Sequence, residues 1–160
     1  MIFKNLDGKI SADYAPAQDD VDLLTDLADM ATVRLPREFE QLAFSVGIED
    51  WIRAVFACNQ YVDTQAPWAL RKTDPERMRA VLMTLFQAVR TLAIAIRPVV
   101  PTAADKLLDQ MGIAEAARDS AALSDMDWFA KLAASGYVVG QPVPIFPRLE
   151  LPEEAGEGEA

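Results

Sequence analysis

The sequence predicts an all-α fold, an antiparallel helix bundle with an irregular C-terminal segment. Three observations carry this. Apolar residues recur three and four apart along most of the chain. Helix-start and helix-stop residues bracket those runs. The valine-rich stretch Gly136 to Phe146 is broken by Gly140, Pro142 and Pro144, so it reads as extended or loop chain rather than a sheet strand. At 160 residues the chain has the length of one ordinary domain, and 51% hydrophobic with 25% charged residues is a soluble, globular composition.

The first helix opens where Asp19, Asp20 and Asp22 crowd an N-terminus, since negative charge there suits the helix dipole. Leu23, Leu24, Leu27, Met30 and Ala31 carry its stripe, and Pro36 is expected to break the helix near Leu35 or kink it. Gly47 reads as a joint. A second helix over about 48–63 follows, with Trp51, Ile52, Val55, Phe56, Tyr61 and Val62 at helical spacing, and it stops before Gln65-Ala66-Pro67. Asp74-Pro75-Glu76 is an N-cap, an N1 proline and a first-turn acid. The helix it opens runs to about Arg97, and its broad apolar face implies packing on more than one neighbour. A further helix spans 101–111 and is closed by Gly112. Short helices are expected at 114–118 and 125–134, and residues 1–18 show little pattern beyond the Asp7-Gly8 turn. The bundle is expected to occupy residues 1–148, with 149–160 an acidic, disordered tail.

Composition removes several kinds of chemistry. With no histidine there is no Ser-His-Asp or Cys-His arrangement and no histidine metal site. The one cysteine, Cys58, makes neither an internal disulfide nor a cysteine zinc site, and it reads as a buried, inert small hydrophobe. Trp51, Trp128 and Met30, Met78, Met83, Met111 and Met126 read as core. Asp105 and Asp109 read as a solvated helix face. No catalytic or metal-ligating residue is expected. No signal peptide or membrane-spanning run is seen, so no membrane partner is expected and the reading is cytoplasmic.

The net charge is −10, which argues against a broad nucleic-acid surface. The acidity is concentrated in residues 13–50 and 149–160, whereas residues 68–97 hold six arginines or lysines against Asp74 and Glu76. An anionic partner fits there. Asn59 and Tyr61 lie near the end of the second helix, Pro67-Trp68 follows the break, and Arg71, Lys72, Arg77 and Arg79 come next. An indole beside cations suits a single-stranded nucleic acid: the ring stacks on an unpaired base and the cations hold phosphates. The same spacing also fits a tryptophan plugging the core.

The block from Asn59 through Tyr61-Val62 and Pro67-Trp68 to Leu70 and Lys72 closely resembles the anticodon-binding domain of methionyl-tRNA synthetases, a class I aminoacyl-tRNA synthetase family. Asp74-Pro75-Glu76-Arg77, Arg97-Pro98-Val99-Val100-Pro101, Gly140 to Arg148 and the Asp7-Gly8 turn support it, so the resemblance covers about residues 1–148. It implies a class I anticodon-binding bundle, the C-terminal part of a ligase that joins methionine to its tRNA with ATP and magnesium. This stretch would select tRNA, without an active site or cofactor of its own. Its partners would be the methionine-accepting tRNA and the catalytic domain of the same parent chain. Trp68 would stack at the anticodon, Pro67 would shape the loop that presents it, Asn59 would organise that loop, and Tyr61 fits either role. Arg71 and Lys72 would meet phosphate. The family's other anticodon readers, an Asn and an Arg on the helix before the Asp-Gly turn, fall upstream of Met1, so the chain is read as N-terminally truncated. Two alternatives stay open here: the equivalent domain of another class I synthetase, or a helical interaction module without an RNA role.

Overall fold

The computed structural model describes residues 1–146. The tail 149–160, expected to be disordered, and the Phe-Pro-Arg block beyond Phe146 lie outside the described residues. Among the described residues the chain forms eight α-helices. In order they are α1 (Ile2–Asn5), α2 (Gln18–Asp29), α3 (Leu35–Glu40), α4 (Phe44–Gln65), α5 (Pro67–Thr73), α6 (Pro75–Ile96), α7 (Pro101–Gln110) and α8 (Trp128–Ala134).

Pro36 does not end the first helix. A five-residue π turn, Met30–Arg34, joins α2 to α3, and the Leu35 N–H reaches back to the Met30 carbonyl. A proline has no N–H and its ring crowds the carbonyl four residues earlier; the widened turn relieves both demands. Gly47 is likewise not a joint. It lies inside α4, where a Cβ would sit 2.8 Å from the Phe39 ring and 3.1 Å from Leu35. The glycine is there because α3 and α4 approach closely. The chain turns earlier, at Gln41–Ala43, with Leu42 at φ 61°.

Two pairs of contacts set the helix directions. Tyr61 meets Asp20 at one end and Arg34 meets Asp50 at the other, so α2 and α4 are antiparallel. Arg77 meets Gln65 while the Trp51 indole donates to the Leu92 carbonyl at 3.0 Å, so α4 and α6 are antiparallel too. As its broad face implied, α6 has two buried sides. Val81, Ala88 and Leu92 pack with Leu27, Met30 and Cys58. Leu82, Met83 and Phe86 pack with Leu108, Met111 and Phe129. Helix α6 is long and apolar enough to cross a bilayer, yet 72% of its most apolar window is buried in the bundle, as befits a core helix.

The smaller expectations divide. Asp74 caps α6 by accepting the Arg77 N–H at 2.9 Å. Trp51 and Trp128 are half-buried and packed on the core; Trp128 stacks on Phe86, and the Arg90 guanidinium lies 4.2 Å from its ring centre. Cys58 is buried, and burial, with the nearby Asp26 charge, pushes its thiol up to about 11, so it stays protonated at neutral pH. Met126 is not core: it is 88% exposed in the loop before α8, where no helical face turns it inward. Asp105 and Asp109 are not merely solvated, because both pair with Arg118. Residues 113–127 form two 3₁₀ turns, Glu115–Ala117 and Ser120–Ser124.

The N-terminal turn is tied to the C-terminal segment. Gly8 takes φ 73°, and an added Cβ would strike the Val139 carbonyl. The Val139 N–H donates to the Gly8 carbonyl at 2.8 Å, and Lys9 pairs with Val138 in an isolated antiparallel bridge. This clasp, with Ile2 and Leu6 packed on the core, holds α1 against the bundle.

Candidate nucleic-acid interface

The predicted loop around Trp68 is a helix. Helix α4 ends at Gln65, Ala66 turns the chain through the left-handed region (φ 43°, ψ 58°), and Pro67 starts α5 at N1, where its missing N–H costs nothing. Pro67 is fully buried and lines an apolar cavity of about 480 Å³ with Leu82, Phe86 and Met111, so it anchors the corner instead of shaping a loop. Trp68, the next residue, points out and is 56% exposed. Arg71 and Lys72 follow at i+3 and i+4, on the same face of α5. Both are exposed and make no ion pair among the described residues.

Trp68 and Arg71 form one side of a surface cleft of about 760 Å³ whose other side is Met1, Lys4 and Asn5 of the N-terminal segment. Asn5 donates to the Met1 carbonyl at 3.0 Å, and its side-chain oxygen accepts nothing among the described residues. An aromatic face, two cations and an amide therefore converge on one open cleft. Lys4 and Asn5 were missed from sequence. The Asp7-Gly8 turn was the available signal, because α1 is the helix directly before it.

The other expected site residues are placed differently. Asn59 is exposed on α4 and makes no side-chain hydrogen bond among the described residues, so it does not organise the corner through such a bond. Tyr61 is buried, and its phenol donates to Asp20 Oδ1 at 2.5 Å. That leaves it a structural role. Burial, then the Asp20 hydrogen bond, raises its pKa well above the tyrosine norm. Arg77 is not a free cation: it reaches the Asp20 carboxylate with both terminal nitrogens, at 2.5 and 2.7 Å. Burial raises the Asp20 pKa, but hydrogen bonds from Arg77, Tyr61 and the Ala17 N–H together hold the carboxyl below the ordinary aspartate value. Among the described residues no group of three or more Asp, Glu or Cys side chains is placed to hold a metal ion.

This arrangement is an all-α bundle presenting an indole, cations and an amide at one corner. Known structures share its fold. The bundle superposes on Mycobacterium tuberculosis methionyl-tRNA synthetase in its free state with a TM-score of 0.82 at 30% identity, over 95% of this chain and 30% of that one. The same enzyme bound by methionyl-adenylate gives 0.82 at 30% identity, over 92% and 28%. The methionine–tRNA ligase of Brucella suis biovar 1 is 34% identical over 148 residues, 92% of this chain and 28% of that protein. A family model described as the anticodon binding domain of methionyl tRNA ligase matches residues 12–154. The chain belongs to this family, and it spans less than a third of the length of these relatives.

Proposed function

We propose that this chain grips the unpaired anticodon bases of a tRNA, with Trp68 as the stacking surface. The observation that carries the reading is the exposed Trp68 ring at a cleft shared with Arg71, Lys4 and Asn5. Stacking is tolerant of sequence because every base has a π-face, so Trp68 supplies grip. Lys4, Arg71 and Lys72 hold phosphate, and the free oxygen of Asn5 meets a base-edge donor. Pro67 keeps the ring out by burying itself, while Tyr61 and Asn59 stay off the RNA and beside it, respectively.

Membership of the family supports a wider setting as part of the same reading. Residues 1–148 act as one tRNA-selecting domain, with 149–160 outside it. The parent is a cytoplasmic ligase that attaches methionine to its tRNA using ATP and magnesium at a catalytic domain elsewhere in the same protein. Nothing in the bundle takes part in that chemistry. An exposed Trp68 also weighs against a plain interaction module, for which that ring would be a core plug.

Titration of this chain with a labelled RNA stem-loop carrying a methionine anticodon at low salt tests the reading. The net charge of −10 opposes phosphate approach, so binding in the micromolar range or weaker is expected. Trp68→Ala removes most of it. Tight binding that ignores Trp68→Ala contradicts the assignment.

A further inference from the structure

We propose that Arg77 is the positioning residue for Trp68: its side chain holds the leading flank of the short helix that carries the ring, and its backbone N–H meets the trailing flank. This rests on the stacking reading above. Helix α5 has seven residues, too few to hold its own geometry in water, so its pose is set by the packing of Pro67 and Leu70 and by the contacts at its ends. At the leading flank, Gln65 Oε1 accepts from Arg77 Nη2 at 2.8 Å and from Nε at 3.3 Å. At the trailing flank, Asp74 Oδ1 accepts the Arg77 backbone N–H at 2.9 Å. Between Gln65 and Pro67 stands Ala66 in the left-handed region, a conformation a non-glycine residue keeps only when its neighbours enforce it.

The clamp is itself referenced to the bundle. The Asp20 carboxylate, with no solvent exposure, accepts both terminal nitrogens of Arg77, the Tyr61 phenol and the Ala17 N–H. Helices α2, α4 and α6 therefore meet at one ion pair, and the corner bearing Trp68 is measured from it. Four of the five guanidinium N–H groups of Arg77 donate inward, to Asp20 and Gln65, so its charge is committed to the bundle and not to phosphate. This separates Arg77 from Arg71 and Lys72, with which sequence spacing had grouped it.

The test uses the 160-residue chain labelled with 5-fluorotryptophan, whose three fluorine resonances are assigned by single Trp→Phe changes. Arg77→Lys keeps the charge and loses the fork. Gln65→Ala cuts the leading flank and leaves the Asp20 pair intact; it also removes the Gln65 Nε2 bond to Asp19 Oδ2, so Asp19→Ala is its control, and with that control it carries the test if Arg77→Lys fails to fold. In both variants the Trp68 resonance is expected to shift or broaden while those of Trp51 and Trp128 hold still. Binding of the same stem-loop should weaken roughly two- to tenfold, and that loss should vanish on a Trp68→Ala background, with the salt slope unchanged. An unmoved Trp68 resonance overturns the proposal, as does a loss that persists in full without Trp68. If Trp68→Ala alone leaves binding unchanged, the stacking reading fails instead, and the fluorine spectra decide by themselves whether Arg77 positions the ring.

Discussion

Pro67 and Trp68 are neighbours in sequence and face opposite ways: the proline is fully buried and the tryptophan is 56% exposed. Their substitutions should separate cleanly. Trp68→Ala touches no core and should change stability by no more than about 0.5 kcal/mol. Pro67→Ala opens the wall of the apolar cavity and should cost about 1–2 kcal/mol. Thermal melting of both variants checks this; a large melting shift for Trp68→Ala would make the ring structural.

Asp20→Asn strands Arg77 at a half-buried site and should cost about 3–5 kcal/mol. It should also change the acid limb of stability. The folded Asp20 pKa lies below its unfolded value, so the pair stabilises the fold above the ordinary carboxylate pKa of about 4 and loses that contribution as pH falls through the lowered folded value. Asp105, held down by Arg97, and Asp125, held down by Lys131, titrate in the same window. The informative quantity is therefore the difference in urea-unfolding stability between parent and variant, which should shrink with acidification and be flat from about pH 5 upward.

Gly47→Ala should destabilise by about 1–2 kcal/mol despite the better helix propensity of alanine, because the new methyl meets the Phe39 ring at 2.8 Å. Denaturant unfolding tests it. A stabilised variant would show that α3 can move away from α4 at no cost.

Much of this fold was legible because its signals are local. Asp74-Pro75 starts α6 within a residue of expectation, and the broad apolar face of α6 foretold packing on more than one neighbour. What stayed hidden depends on tertiary contact. Pro36 reads as a break or a kink until the π turn is seen, and Gly47 reads as a joint until Phe39 is found against it. Ala66 adopts the left-handed conformation without the glycine that usually announces it. The site divides the same way. The closeness of Trp68, Arg71 and Lys72 was legible in the sequence, whereas the short helix that puts them on one face was not, because the proline break reads as a loop. Arg77 lies close behind them in sequence, yet its partner Asp20 is 57 residues away, and Lys4 and Asn5 are held beside Trp68 by the Gly8–Val139 clasp and the core packing of Ile2 and Leu6.

Lys4→Ala and Arg71→Ala should each weaken RNA binding about equally for all anticodons and lower the slope of log affinity against log salt by about 1. Asn5→Ala should leave that slope alone and reduce discrimination between loop sequences, since an uncharged amide reads base edges. Titrations at several salt concentrations, each with two loop sequences, distinguish the two behaviours. A salt slope unchanged by both cation replacements would move the phosphates elsewhere.

The most direct measurement follows Trp68 itself. In a Trp51→Phe, Trp128→Phe background, Trp68 is the only tryptophan emitter, and a base stacked on its ring quenches it. A stem-loop with an unpaired seven-nucleotide loop should quench the emission saturably, while a fully paired RNA duplex of equal charge should not. Equal quenching by both RNAs, or by neither, would contradict the assignment of Trp68 as the surface that holds an unpaired base.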